Sequence, residues 1–285
     1  MTSHRTLGAS GLVVSAVGWS TQALARPSGL TSPAALVRAA LDAEIDLFDS
    51  DPDGDAQDTL ARLLRGQRRH LALAARCVAG VGPAAFSPLD RAWRPEEVRL
   101  RLEVSLRRLQ TDWVELWLLH DPPLEALHDD NLWAQLADDR QAGWIRAVGV
   151  ATPGEDEARA ALGRGGIDVL VLPIRLAEVE PGRTLAAEAE AQQVAVVADG
   201  PFGGADGPPR HLVAGLVDPD MDRTPTQAEL AGVLSLPGVA GVLSAAATPS
   251  EIAEHAGAAA SPLDDTEARL LAARLDEARE SQREL

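Results

Sequence analysis

Apolar runs alternate with segments of helical period along the whole chain. Each short run typical of a buried strand is followed by a stretch in which apolar residues recur three or four positions apart. The predicted strands are residues 13–18, 45–49, 71–75, 113–119, 145–150, 167–172, 194–198 and 239–243. The pattern therefore indicates eight strands, each followed by a helix.

Helix starts carry recognisable signals at several places. Ser32 precedes Pro33, and Thr248 stands three residues before Glu251, which are typical N-terminal caps. The strongest helix begins at Pro95. Its apolar stripe keeps the 3.6-residue period over Val98, Leu102, Leu106 and Leu109.

This alternation predicts an α/β protein in the form of a (β/α)8 TIM barrel, with residues 1–285 as a single domain. Eight such units fill about 250 residues. An open doubly wound sheet is the alternative, and the lack of a G-x-G-x-x-G after the first strand disfavours it. In a barrel the site lies at the C-terminal strand ends, next to the long Gly/Pro/Asp-rich loop over residues 199–225.

Composition narrows the classes of partner. The net charge is −17, which argues against nucleic acid or an anionic membrane surface. No run of about 18 apolar residues occurs, and the N-terminus shows no cleavable leader, so we expect a cytoplasmic protein acting on a small-molecule substrate. A single cysteine excludes an intrachain disulfide.

Two residue types are missing altogether. The chain has no Tyr and no Lys, so its Lys+Arg total of 26 consists of arginines alone. Acid catalysis by a phenol and Schiff-base chemistry by a lysine amine are therefore excluded.

Several ordered motifs identify a family resemblance. They are residues 5–15 (RTLGASGLVVS), 47–50 (LFDS), 54–64, 103–112 (EVSLRRLQTD), 113–120 (WVELWLLH), 143–150 (GWIRAVGV), 200–204 (GPFGG) and 246–255. In this order they resemble the aldo-keto reductase family over nearly the whole chain. The resemblance implies a barrel of that type, and hydride transfer from NADPH to a carbonyl through an Asp, a Tyr, a Lys and a His.

The positions of the family's four catalytic residues hold a partly different set of residues in this sequence. Asp49 and His120 stand at the Asp and His positions, Arg76 replaces the Lys, and Asp53 stands where the Tyr would be. A carboxylic acid is ordinarily ionised at pH 7, and an arginine does not give up its proton. We therefore predict Asp49, His120, Asp53 and Arg76 as a catalytic group for a different acid–base chemistry.

The positions that hold the cofactor in the family also differ. Ala151-Thr152 stands in place of a Ser-Asn pair, and the strand-six positions are Val171, Ile174 and Arg175. The last loop offers Ala247, Thr248, Glu251 and His255. We therefore predict weak NADPH binding or none, and no required cofactor.

Further side chains are candidates for contact with substrate. Trp19, Asp51 and Arg175 are predicted to line the pocket, Arg175 because an arginine at a strand end requires an anion. The acidic run from Asp49 to Asp55 resembles a cation site but lacks the full calcium-loop pattern, so no metal is predicted. Cys77 is either a reactive thiol or a buried one.

Three functions stay open. The first is a non-redox enzyme of lyase, dehydratase, cyclase or isomerase type, in which Asp49 or Asp53 and His120 exchange protons and an arginine holds an anion. The second is a non-catalytic relative, a pseudoenzyme serving as a scaffold or ligand sensor. The third is a residual NADPH-dependent carbonyl oxidoreductase with His120 as the acid.

Overall fold

Eight parallel strands close into a barrel, as the alternation predicts. The computed structural model describes residues 3–25, 31–53, 55–80, 93–176, 178–202, 223–264 and parts of 266–277. The barrel strands are Val17–Ser20 (β3), Leu47–Ser50 (β4), Ala72–Val78 (β5), Val114–His120 (β6), Ile145–Ala151 (β7), Val169–Leu172 (β8), Ala195–Asp199 (β9) and Val239–Ser244 (β10). Each pairs with its neighbours in chain order and β10 closes on β3, which confirms the (β/α)8 prediction.

Helices cover the outside of the barrel in the described residues. They are Gln22–Ala25 (α1), Pro33–Asp42 (α2), Ala56–Leu63 (α3), Pro95–Leu109 (α4), Leu124–Leu127 (α5), Asp130–Gln141 (α6), Glu155–Arg164 (α7), Gly182–Glu190 (α8), Pro225–Leu234 (α9) and Pro249–Ala258 (α10). Ser32 Oγ accepts the Ala35 N–H at 3.3 Å, as its capping role predicts. In the part described, no helix has the length and hydrophobicity needed to cross a bilayer.

Strand periodicity divides the core into two layers. Alternate strand residues, such as Leu47, Ala74, Leu118 and Val197, form a buried cluster inside the barrel. The residues between them pack outward against the helices in a second, larger cluster. Because side chains alternate along a strand, the last inward-facing residue of each strand lies at the barrel mouth.

The first predicted strand divides into two. Val13–Ser15 (β2) pairs antiparallel with His4–Thr6 (β1), and only Val17–Ser20 enters the barrel. The prediction of one strand over residues 13–18 was wrong because the sequence pattern does not show where a strand leaves one sheet for another. Leu7 and Val14 join the inner cluster, so this hairpin closes the N-terminal end of the barrel.

Most of the strands run further at their C-terminal ends than predicted, and two of these extensions position Arg76 and His120. The strand predicted over residues 71–75 continues to Val78, and the one predicted over residues 113–119 continues to His120. Arg76 and His120 are therefore strand residues with defined orientation. Of the long loop predicted over residues 199–225, residues 203–222 lie outside the described part of the chain.

Two glycines in the hairpin connection provide a matched test of this closure. A Cβ at Gly8 (φ +54°) would lie 2.5 Å from Gln193 O and 2.6 Å from Asp168 O, whereas a Cβ at Gly11 (φ +72°) would meet nothing within 4 Å. Gly11→Ala should cost about 1 kcal/mol from left-handed backbone strain alone. Gly8→Ala should cost about 3 kcal/mol because overlap with backbone adds to the strain. Equal losses in urea unfolding would contradict this role of the hairpin.

Candidate active site

Arg76 is the centre of the cluster at the barrel mouth. Its Nε donates to both carboxylate oxygens of Asp49, at 3.0 and 3.1 Å. Its Nη2 lies 3.0 Å from Asp49 Oδ2 and donates to Asp199 Oδ2 at 2.8 Å. Its Nη1 is 3.1 Å from His120 Nδ1. One guanidinium therefore joins the ends of β4, β5, β6 and β9.

The charge on this guanidinium is permanent. Arg76 is 1% exposed, and burial by itself would lower its pKa. The attraction and hydrogen bonds of Asp49 and Asp199 outweigh burial and raise the pKa above its ordinary value. Arg76 consequently acts as a fixed cation and hydrogen-bond donor, and it takes no part in proton transfer.

Asp49 is held beneath the arginine, away from solvent. It is fully buried, and its Oδ2 accepts the Ser20 hydroxyl at 2.9 Å. Because Arg76 donates to both carboxylate oxygens and Ser20 donates to Oδ2, the carboxylate is oriented from two sides. Asp49 acts on the site through Arg76, which makes it a positioning residue.

The arginine also determines the tautomer of His120. Because an arginine N–H always donates, His120 Nδ1 must accept, and the neutral ring carries its proton on Nε2. Nε2 lies 3.6 Å from the exposed Asp121 carboxylate. The imidazole therefore offers an N–H donor at the cavity and has no lone pair there for general-base chemistry.

A cavity of about 400 Å³ opens beside this histidine. Its described lining is His120, Asp121, Ala151, Thr152, Pro153, Val171, Leu172, Pro173, Arg175, Asp199 and Gly200. Most of the wall is apolar. The polar groups are thus few and concentrated, which is typical of a small-molecule site.

The structure brings together Asp49, Arg76 and His120, with Arg175 in the same cavity wall, as predicted. It does not bring Asp53 there. Asp53 is exposed and its N–H donates to Asp51 Oδ1 at 2.9 Å, forming a local turn at the surface. Neither aspartate lines the cavity, so the catalytic position predicted for Asp53 and the substrate contact predicted for Asp51 do not match the geometry.

Trp19 is also placed differently from the prediction. Its ring is fully buried in the outer core layer, at 6.0 Å from the ring of Phe48, and its Nε1–H donates to Ala246 O at 3.0 Å. Trp19 faces the helices and does not line the pocket. The side chain of Ser20, one residue later, points inward instead, because strand side chains alternate.

Two contributors were missed as site residues. From the sequence, Asp199 was placed only at the start of the long loop over residues 199–225, yet it is the second carboxylate on Arg76. Asp121 follows His120 at the mouth. The available signal was strand parity: Ala195, Val197 and Asp199 alternate, so Asp199 is the last inward position of β9.

The remaining candidate chemistries find little support. Among the described residues, no group of three or more His, Cys, Asp or Glu side chains is arranged to hold a metal ion. Cys77 is buried, and burial raises the pKa of its thiol to about 12 despite nearby Arg101. A reactive thiolate at this position is therefore excluded at neutral pH.

Comparison with known proteins gives the family. The Aldo/keto reductase family model matches residues 18–205, and the chain belongs to this family. An aldo-keto reductase from Bacillus halodurans in its holo form has the same fold, with a TM-score of 0.76, 20% identity and 96% of each chain covered. A putative aldo-keto reductase from Pseudomonas aeruginosa is 28% identical over 90% of this chain and 94% of that one, with a TM-score of 0.70.

Two curated relatives are named as reductases. The 6-dehydroglucose reductase of Novosphingobium aromaticivorans is 32% identical over 166 residues, which are 55% of this chain and 53% of that protein. The methylglyoxal reductase DkgA of Yersinia pestis is 41% identical over 49 residues, 17% of this chain and 18% of that protein. The matches thus span about half of the first relative and less than a fifth of the second.

Removing the central cation should destabilise the fold. Arg76→Ala leaves Asp49 as an unpaired buried charge, which typically costs about 3–5 kcal/mol. Adding Asp49→Asn to that variant removes the charge, so the double variant should recover part of the loss in urea unfolding. Arg38→Ala is the control, because the Arg38–Asp42 pair is exposed. If the double variant were less stable than Arg76→Ala, the charge argument would be wrong.

The single thiol should be unreactive in the folded protein. With a pKa of about 12, only about one Cys77 in ten thousand is thiolate at pH 8, and the side chain is buried. Iodoacetamide labelling followed by intact mass should therefore be at least about 100-fold slower in the native protein than in guanidinium chloride. Comparable rates in the two conditions would restore Cys77 as a reactive group.

Proposed function

We propose that this protein is a nicotinamide-dependent carbonyl reductase in which the His120 imidazole takes the place of a phenol as proton donor. The observation that carries the proposal is the 3.1 Å contact between Arg76 Nη1 and His120 Nδ1, which leaves Nε2 as the protonated nitrogen of a histidine that lines the cavity. Family membership and the names of the relatives support the reductase class. A non-redox lyase-type reaction, the main prediction from the sequence, has no support in these comparisons.

The cavity suits the ring end of a nicotinamide cofactor. Ala151, Val171 and Leu172 form an apolar wall, and Thr152 is a buried hydroxyl beside it. Thr152 Oγ1 accepts the Gly154 N–H at 3.1 Å, so its own proton is available to a carboxamide oxygen. These residues would hold the ring next to His120. When bound, the cofactor supplies the hydride.

The described part of the last loop suits a cofactor phosphate less well. Glu251 directs its carboxylate to the Ala247 N–H at 2.9 Å, and Thr248 Oγ1 accepts the Glu251 N–H at 3.2 Å. The chain's own carboxylate thus satisfies a backbone donor that an anion could otherwise use. We therefore keep the expectation of weak NADPH binding. If three hydrogen bonds to the cofactor are lost, the affinity should be about 100-fold lower than that of a relative that makes all of them.

Each residue of the cluster around Arg76 has its own role in the proposed reduction. His120 Nε2–H donates to the substrate carbonyl oxygen, which polarises the C=O bond and gives the developing alkoxide its proton. A neutral imidazole can act as such an electrophile when its other nitrogen is held by a donor. Arg76 stabilises the negative charge left on the ring through Nδ1, and water at the open mouth returns the proton. Asp49 and Asp199 hold Arg76 in place.

A second candidate keeps one observation in its favour. Asp199 lines the same cavity as His120, so a carboxylate base and an imidazole N–H face one volume. This pair could move a proton within a substrate without any cofactor. Asp199 would then be the base, because His120 Nε2 already carries a hydrogen.

Isotope transfer separates the two candidates. With NADPH or NADH deuterated at C4 of the nicotinamide, supplied at millimolar concentration, the alcohol formed from an aldehyde or ketone should carry deuterium. His120→Ala should lower turnover about 100-fold, the usual contribution of one proton donor. His128→Ala is the matched control, since His128 is exposed and bonds only to Leu124 O in the described structure.

Two results would contradict the proposal. One is full turnover by His120→Ala, which would remove the histidine from the reaction. The other is the absence of deuterium from every product of a panel of small aldehydes and ketones. Conversion of a substrate without any nucleotide would favour proton transfer by Asp199 and His120, and no conversion at all would favour a non-catalytic relative.

A further inference from the structure

The segment after β8 holds an arginine in a fixed position. Ile174 and Leu176, on either side of Arg175, are 0% and 1% exposed. A Cβ at Gly182 of α8 would lie 2.7 Å from Ile174 Cγ1, and one at Gly232 of α9 would lie 2.6 Å from Leu176 Cδ2. Because both neighbours fill spaces that only glycine leaves open, the backbone at Arg175 has little freedom to move.

The side chain of Arg175 is poorly satisfied in this position. Its Nε is buried and finds no hydrogen-bond acceptor among the described residues. Its Nη1 is 3.6 Å from Glu178 Oε2, a loose ion pair with a half-exposed carboxylate. A buried N–H without an acceptor is costly, and native structures usually meet such a donor with water or ligand.

The charges around the cavity make Arg175 the group that can meet an anion. Of the described lining residues, Arg175 is the only one with a cationic side chain, since His120 is neutral in its tautomer. The charge of Asp199 is taken up by Arg76 at 2.8 Å. Asp121 is 55% exposed and therefore largely screened by solvent. The ion pair with Glu178 shows that the group Arg175 attracts is a carboxylate.

We propose that Arg175 binds the carboxylate of an oxo-acid substrate, a small compound that carries both a reducible carbonyl and a carboxylate. The Arg175 side chain is 30% exposed and lines the cavity, so the Nη end of its guanidinium is accessible there, and the planar N–H groups of a guanidinium match a carboxylate. His120 and Arg175 line one cavity, so the carbonyl lies at the first and the carboxylate at the second. This inference rests on the proposed function.

Paired substrates that differ in the carboxylate alone test the inference. We expect 4-oxobutanoate to have a kcat/KM at least about 10-fold above that of butanal. Arg175→Gln should remove this preference mainly through KM for the oxo acid. Arg183→Gln is the matched control, because Arg183 is an exposed arginine on α8 that pairs with Glu180.

A second variant predicts the opposite change. Glu178→Gln removes the carboxylate that competes for Arg175, so the affinity for 4-oxobutanoate should rise several-fold. Fold integrity of each variant is checked by urea unfolding. A preference that survives Arg175→Gln, or an affinity that falls in Glu178→Gln, would overturn the assignment.

Direct binding separates this inference from the proposed function. Titration calorimetry of succinate, which has no carbonyl to reduce, measures the carboxylate site without nucleotide or turnover. Binding by the wild type and a loss of at least about 10-fold in Arg175→Gln support the site even if no reduction occurs. Absence of succinate binding to the wild type overturns the site, and reduction of neutral aldehydes would still stand.

Discussion

One buried guanidinium organises the mouth of this barrel. Arg76 bonds to Asp49 on β4, to Asp199 on β9 and to His120 on β6, and it stands on β5 itself. Placing a cation where it is 1% exposed is unfavourable unless carboxylates compensate it, and two of them do. The orientation of the histidine, the burial of Asp49 and the position of Asp199 all follow from this single requirement.

The same contact determines the kind of chemistry available. A histidine with a carboxylate behind it is suited to accept a proton at its exposed nitrogen. A histidine with an arginine behind it is held as a donor, since the arginine cannot accept. This chain has neither Tyr nor Lys, and in the proposed carbonyl reduction the histidine N–H would supply the hydrogen-bond donor.

The cavity thus has two differently built ends. On the His120 side, a network of hydrogen bonds joins four strand ends, so the donor is oriented by the sheet. On the Arg175 side, tight packing of Ile174 and Leu176 against two glycines holds a loop. The His120 side is set by electrostatics and the Arg175 side by steric fit, and most of the remaining described lining of the cavity is apolar.

Local signals in the sequence determined the fold and part of the site. Strand and helix periods, and caps such as Ser32, act within a few residues, so the barrel and its element order could be predicted. Asp49, Arg76 and His120 were found because the family resemblance places them at strand ends.

Tertiary structure decided the rest of the site. The hydrogen bond from Arg76 to Asp199 joins residues 123 positions apart, so no local signal predicts it. The orientation of Trp19 depended on where β3 begins, because a shift of one residue reverses which side chains face the barrel interior.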